Sequence, residues 1–183
     1  MVMKKQLIAT LVGGLILFVW QFLSWAAIPI HKSEYGYTSN QDKIMEALNQ
    51  NLTEAGTYFL PGVPPGTGQK EAEEAYMQKN IGKPWASISY HKSLNTNMGM
   101  NMFRGFVIDL LAAWLLVWLL LKFETLNLRT ALQASIAVGV IAYLTIPYLH
   151  SIWFETNSIE HLVDAVVQWG LVGIWLGWWL PRK

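Results

Sequence analysis

The chain has 183 residues, of which 53% are hydrophobic and 14% are charged, and its formal net charge is +1. Soluble domains average about 25% charged residues, so this composition indicates a membrane protein, and the near-zero net charge offers no general electrostatic basis for binding nucleic acid. The sequence contains no cysteine, which excludes disulfides, thiolate metal sites and thiol catalysis.

Four apolar runs are each long enough to cross the membrane, since a helix needs roughly 20 residues to span the hydrocarbon. They cover residues 7–28, 103–121, 131–148 and 159–180. Basic residues near span ends stay on the cytoplasmic side, and a four-crossing path puts three basic groups on one side: Lys4 and Lys5, Lys122 and Arg129, Arg182 and Lys183. We therefore predict that both termini are cytoplasmic.

The first apolar run has an alternative interpretation as a secretory signal peptide. Ser24-Trp25-Ala26 provides small residues at spacings like those of a cleavage site. The apolar core of a signal peptide is, however, only about 7–15 residues long, which is shorter than the run at residues 7–28. We therefore expect an uncleaved signal-anchor, with residues 1–28 as an N-terminal transmembrane anchor.

Residues 29–102 differ from the spans because they contain Gly, Pro, Asn, Gln and charges of both signs. An apolar stripe predicts a helix over residues 41–51, with Ile44, Met45, Leu48 and Leu52 on one face. Further patterns predict a strand at 56–60, a loop at 64–68, a helix at 69–79 and a strand at 85–90. Two strands and two helices make a thin core, so we expect this domain to need the membrane helices or a partner for stability.

The predicted fold is therefore that of an all-α membrane protein with four transmembrane helices. A small α+β extracytoplasmic domain, residues 29–102, is inserted between the first and second helices, and residues 103–183 form a three-helix transmembrane unit. We expect the protein to lie in a bacterial inner membrane, with residues 29–102 in the periplasm.

Polar residues inside the spans carry the most information about a site. A carboxylate at the membrane centre costs about 2.5–3.5 kcal/mol, so Asp109 and Asp164 are expected to face the bundle interior. His161, Asp164 and Gln168 share one helical face, with Glu160 beside it. Arg104 is expected either to pair with Asp164 or Glu160, or to extend to a lipid phosphate.

Two interpretations of this polar cluster remain open. In one, the His and Asp side chains only hydrogen-bond between helices. In the other, they line an outward-facing cavity for a polar ligand, a proton path or a metal, with His150, His161 and Asp164 or Glu160 as ligands. Imidazole and carboxylate suit zinc, iron or manganese, whereas thioethers suit Cu(I), for which the candidate ligands are Met98, Met100 and Met102.

Small residues recur at four-residue steps on the last two spans. They are Ala131, Ser135 and Gly139 on the third span, and Gly173 and Gly177 on the fourth. Such faces allow helices to approach closely in lipid. The two faces can satisfy each other, or they can mediate self-association or contact with other membrane-protein subunits.

The sequence carries no nucleophile elbow, P-loop, HExxH, EF-hand or dinucleotide-binding motif. The leading hypothesis is a non-catalytic accessory or scaffold subunit of a larger membrane complex, which is not an enzyme. The alternatives are a membrane enzyme or metal-binding protein that uses the outer-leaflet cluster, and a transporter or channel component.

Overall fold

The computed structural model describes residues 2–64, 68, 70–94 and 97–182, and for Val2 the backbone alone. The chain divides into two compact units. The first, here called the membrane unit, comprises Met1–Gly36 and Asn97–Lys183, and the second, the outer unit, comprises Tyr37–Thr96. The membrane unit contains four helices that are long and apolar enough to cross a membrane.

The membrane unit begins with α1, Val2–Phe22, which continues through a π turn at Leu23–Ala27. Its first apolar run thus forms a candidate span over Met3–Ala27. Pro29 then starts a 3₁₀ turn, Pro29–Ser33. Proline has no backbone N–H and is best placed at the start of a helical segment, so the chain changes direction here.

Four further helices belong to the described part of the membrane unit, and the second and third of them form one continuous helical run. Helix α4 covers Met98–Leu120, and α5 covers Leu128–Tyr143. A π turn at Leu144–Tyr148, which contains Pro147, joins α5 to the short α6, Leu149–Phe154, and α7 follows at Ile159–Trp179. The third candidate span therefore runs over Leu128–Phe154, beyond the predicted end at residue 148.

Helices α5 and α7 pack through their small residues. A Cβ built on Gly139 would lie 2.7 Å from the carbonyl oxygen of Ala165, and one on Gly173 would lie 2.9 Å from the Cβ of Ser135. A Cβ on Gly177 would lie 3.0 Å from the Cβ of Ala131. The two small-residue faces thus pack against each other within one chain, and their contact with other subunits stays a prediction.

Helix α1 lies close to α4, where Gly14 permits the approach. A Cβ on Gly14 would lie 2.9 Å from the Cα of Leu110. Next to this contact is the apolar core of the membrane unit, to which α1, α4 and α7 all contribute; its larger side chains are Leu17, Val117, Leu120, Val172 and Leu176.

The outer unit is built from α2, Gln41–Asn51, β1, Gly56–Leu60, α3, Lys70–Asn80, and β2, Ala86–Tyr90. The strands pair antiparallel, with Gly56 opposite Tyr90 and Leu60 opposite Ala86. The predicted order of helix and strand is confirmed, while Pro65, Gly66, Thr67 and Gln69 from the predicted loop and helix start lie outside the described residues. Tyr90 is the single buried side chain among the described residues of this unit.

The outer unit is shorter than the domain predicted at residues 29–102. Residues 29–36 and 97–102 belong to the membrane unit. This division matters for function because His31 and Glu34, which follow α1 in the chain, lie within the membrane unit.

Candidate functional site

Asp164, on α7, accepts hydrogen bonds from three side chains, one on α1, one on the π turn that continues it and one on the 3₁₀ turn that follows. Its Oδ1 lies 2.9 Å from Trp20 Nε1 and 2.6 Å from Ser24 Oγ. Its Oδ2 lies 2.8 Å from Nε2 of His31. Ser24, His31 and Asp164 are all buried. Lipid offers no hydrogen bonds, so these donors account for the interior position of Asp164.

Both ring nitrogens of His31 and one face of its imidazole contact other side chains. Its Nδ1 makes a short contact with Glu34 Oε1, three residues further along the chain. The indole of Trp25 stacks on the imidazole at a centroid distance of 3.9 Å. Burial lowers the pKa of His31, but hydrogen bonds with Glu34 and Asp164 and the negative charges of both raise it, so that the pKa lies above its ordinary value of 6.5.

His161 extends the cluster across Glu34. Its Nε2 lies 3.3 Å from Oε1 of Glu34, and its ring centroid lies 5.3 Å from that of His31. One ligand atom from each of His31, Glu34 and His161 falls within 4.8 Å of the others. Two imidazoles and a carboxylate therefore converge where α1 ends and α7 begins; we call these three residues the His–Glu cluster.

Glu160 lies beside this cluster and is held by separate donors. Ser33 Oγ donates to its Oε1, and Asn157 Nδ2 donates to the same oxygen at 2.6 Å. Its Oε2 is buried without a hydrogen-bond partner among the described residues. Glu160 thus joins the start of α7 to the 3₁₀ turn.

Asp109 forms a second, separate polar contact with α1. Gln21 Nε2 donates to its Oδ1 at 2.9 Å. Asp109 is buried, and its Oδ2 has no hydrogen-bond partner among the described residues. Both intramembrane carboxylates are therefore in helix contacts, as expected, but only Asp164 contacts the His–Glu cluster.

The structure does not bring His150 into the cluster. His150 lies on α6, is exposed, and contacts Thr156 and Phe154 instead. The structure therefore does not place His150 with His161 and Asp164, because the third helical run continues past Tyr148 and carries His150 with it. His31 and Glu34 occupy the place that the prediction gave to His150.

Arg104 also differs from the prediction. Its side chain is exposed, and no ion pair within the described residues joins it to Glu160 or Asp164. Those carboxylates already have partners from α1 and from the segment after it, which explains why they need no arginine. The alternative in which Arg104 extends toward lipid phosphate stays a prediction.

The methionine run does not form a joint soft-ligand site. Met98, Met100 and Met102 all lie in the first turns of α4 and are exposed. Side chains two residues apart on a helix point about 200° apart, so Met100 lies away from the other two. The copper hypothesis therefore loses its geometric basis.

Gln168 lies one turn beyond Asp164 on α7 and beside the cluster. It borders a groove of about 310 Å³ that Trp25, Tyr143, His161 and Asp164 also line. Its Oε1 is buried with no hydrogen-bond partner among the described residues. The groove next to the cluster is therefore bordered by an oxygen, Oε1 of Gln168, that accepts no hydrogen bond within the described residues.

Sequence reasoning placed Asp164, Glu160 and His161 together but missed His31, Glu34 and Trp20. The local signal was Pro29, which starts a turn directly after the span, followed by His31 and Glu34 at a spacing of three.

Comparison with known proteins finds no matching family model, curated protein or solved structure. Function must therefore be inferred from the structure itself.

Proposed function

We propose that this chain is an integral membrane protein that acts as a non-catalytic accessory subunit of a larger membrane complex. Its four long apolar helices are compatible with residence in a membrane. The observation that carries the proposal is the outer unit, where Tyr90 is the single buried side chain among the described residues. A two-stranded sheet with so little core is marginal in water, so we infer that a partner covers it.

Part of the uncovered apolar surface of the outer unit lies on α2. Ile44 is 47% exposed and Met45 is 49% exposed. Met45 and Leu48 form one wall of a groove of about 620 Å³, and β2 with the residues after it, 88–94, forms the other. A groove between an apolar helix face and a strand suits an extended segment of another protein, which adds hydrogen bonds to the strand and side chains to the apolar wall.

The partner we propose is an extended extracytoplasmic segment of another membrane-protein subunit. In the two-stranded sheet of the described residues, β2 pairs with β1 along one edge, and residues of β2 also line the groove. Strand edges of this kind are common docking sites because their backbone groups are free to pair. The membrane unit would then anchor the outer unit beside its partner.

The prediction that tests this partner concerns Met45. Met45→Lys places a charge in the apolar wall and should abolish recovery of a stoichiometric membrane-protein partner from native membranes in mild detergent. Gln50→Lys is the matched control, because Gln50 lies on the opposite face of α2 and a lysine there follows Glu46 at a favourable spacing. Native mass spectrometry of both purified variants measures the stoichiometry.

A result in which the partner is retained equally in both variants would contradict the groove as the docking surface. A chain that purifies from native membranes as a lone monomer would contradict the accessory-subunit proposal itself. A cross-link from Leu94, which is 90% exposed at the end of the groove, to the recovered partner would support both.

The membrane orientation is part of the same proposal. We propose cytoplasmic termini, with residues 29–102 outside the cytoplasm and, in a bacterium, in the periplasm. Trp179 Nε1 donates to the carbonyl oxygen of Lys5 at 3.1 Å, and Lys5 Nζ contacts the carbonyl oxygen of Arg182. The start of α1 and the end of α7 therefore meet at one end of the bundle, which supports an even number of crossings; Lys183 lies outside the described residues.

The orientation prediction is tested by labelling single cysteines in intact cells, which is free of background because the chain contains no cysteine. A membrane-impermeant thiol reagent should label Ser39→Cys and leave Thr125→Cys, in the turn between α4 and α5, unlabelled. Permeabilised cells should label both. Labelling of Thr125→Cys in intact cells would overturn the orientation.

A further inference from the structure

We propose that His31, Glu34 and His161 bind one divalent transition-metal ion of the zinc, iron or manganese type. Imidazole nitrogen and carboxylate oxygen are the ligands that these ions prefer, whereas magnesium and calcium favour oxygen alone. The proposal goes beyond the accessory role, since it concerns a site within the membrane unit and is independent of the groove on the outer unit.

One separation between the donor atoms is already close to that which a metal requires. Ligand bonds of about 2.0–2.2 Å in a tetrahedral site put neighbouring donors about 3.4 Å apart. His161 Nε2 and Glu34 Oε1 are 3.3 Å apart, and the three donor atoms all lie within 4.8 Å of one another. Nδ1 of His31 and Oε1 of Glu34 are in direct contact, so side-chain rotations that part these two atoms would bring all three donors onto one ion.

Hydrogen bonding identifies Nδ1 as the ligand atom of His31. Asp164 and Ser24 lie against Nε2, at 2.8 and 3.1 Å. A carboxylate that accepts the Nε2 proton fixes the tautomer and leaves the Nδ1 lone pair facing Glu34. Metal-bound histidines usually have such an outer carboxylate on their second nitrogen. Asp164 is thus a positioning residue for His31, and Trp20 and Ser24 hold Asp164 in turn.

Three protein ligands leave a coordination position for a small molecule. His161 and Asp164 both border the groove that contains Gln168. The unused Oε1 of Gln168 provides an acceptor next to that position for a metal-bound water or for the protonated part of a polar ligand. This arrangement corresponds to open metal sites, which keep three protein ligands, rather than to closed structural sites with four.

The competing explanation is that His31 carries a second proton and forms ion pairs with Asp164 and Glu34. In that case His161 has no essential role, because in the described part of the chain its ion pair is with Glu34 and not with Asp164. The two explanations therefore differ in what His161 contributes. An ion-paired His31 needs no His161, whereas a metal site loses a ligand without it.

The experiment uses the full chain in mild detergent, purified through a tag without histidine, treated with a chelator and titrated with Co²⁺. The wild-type chain should bind about one Co²⁺ with visible ligand-field absorption, and Zn²⁺ should displace it. His161→Ala and Glu34→Gln should each weaken binding by about 100-fold or more, and Asp164→Asn by about 10–100-fold, as is usual for outer-shell partners.

The matched controls are His150→Ala and Glu155→Gln, which alter an exposed histidine and an exposed carboxylate and should leave the affinity unchanged. Saturating Co²⁺ should also raise the melting temperature of the wild-type chain but not that of His161→Ala. Absence of stoichiometric Co²⁺ binding to the folded wild-type chain would overturn the proposal. Equal affinity of the wild type and His161→Ala would overturn it as well.

Discussion

Replacing Asp164 with alanine is expected to lower the free energy of unfolding of the membrane unit by about 2–3 kcal/mol. The change removes the acceptor for Trp20, Ser24 and His31 together. A buried donor left without a partner costs about 1–3 kcal/mol in water-soluble proteins, and polar contacts in membranes average about 0.6 kcal/mol. Three contacts at the membrane average give about 2 kcal/mol, and the higher cost in water-soluble proteins raises the expected loss toward about 3 kcal/mol.

Asp109→Ala is the matched control for this prediction. Asp109 is also a buried carboxylate in contact with α1, but among the described residues it accepts one side-chain hydrogen bond, from Gln21. Its loss should cost about 1 kcal/mol. Asp164→Asn should also cost about 1 kcal/mol, because its remaining oxygen still accepts and neutral His31 can change tautomer.

Unfolding of the purified variants in mild detergent, followed by circular dichroism, measures the free energy of unfolding of each variant. The order expected from the hydrogen bonds is that Asp164→Ala is the most destabilised and that the other two are similar. Equal losses for Asp164→Ala and Asp109→Ala would contradict it. That outcome would mean that the volume removed, rather than the number of donors left unpaired, sets the cost.

Much of the secondary structure was predictable because it follows from local patterns. The predicted helix at 41–51 and strand at 56–60 coincide with α2 and β1, since apolar spacing and Gly or Pro boundaries define both. The end of the third span was less predictable. The chain becomes more polar after Tyr148, but the helix passes through Pro147 by way of a π turn and ends at Phe154, before Glu155 at a φ of 51°.

The site was predictable only in part, for a physical reason. The cost of a charge in lipid places Asp164 in the interior without any knowledge of its partners. The partners depend on tertiary structure, because the 3₁₀ turn at Pro29–Ser33 brings His31 to a helix more than 130 residues away in sequence. Periodicity along a single helix cannot identify such a contact, and the sequence alone therefore indicated His150 and not His31 as a ligand.

Gly139→Ala is expected to destabilise the membrane unit by about 2–3 kcal/mol, a typical cost of overpacking a close contact. Its new Cβ would lie 2.7 Å from the carbonyl oxygen of Ala165 and 2.8 Å from Cγ of Trp169. A backbone oxygen and a packed indole cannot both move aside at little cost. Helices α5 and α7 would have to separate, and their contact would weaken along its length.

Gly170→Ala makes the same substitution at a position on α7 where a Cβ would meet nothing within 4 Å. Because alanine restricts the unfolded chain more than glycine, this control should raise the stability by about 0.4–1 kcal/mol. Unfolding in mild detergent gives both values. If the two Gly→Ala changes alter the free energy of unfolding with opposite signs, then the close approach of the helices, not helix propensity, determines the effect at Gly139.

The same pair of variants separates internal packing from a role in assembly. If the small-residue face of α5 served a partner, Gly139→Ala would reduce recovery of that partner and leave the unfolding of the purified chain unchanged. Internal packing against α7 requires the reverse: reduced stability of the purified chain, with the partner retained by whatever remains folded. Unchanged stability of Gly139→Ala would therefore contradict the close α5–α7 contact and return this face to the set of possible partner surfaces.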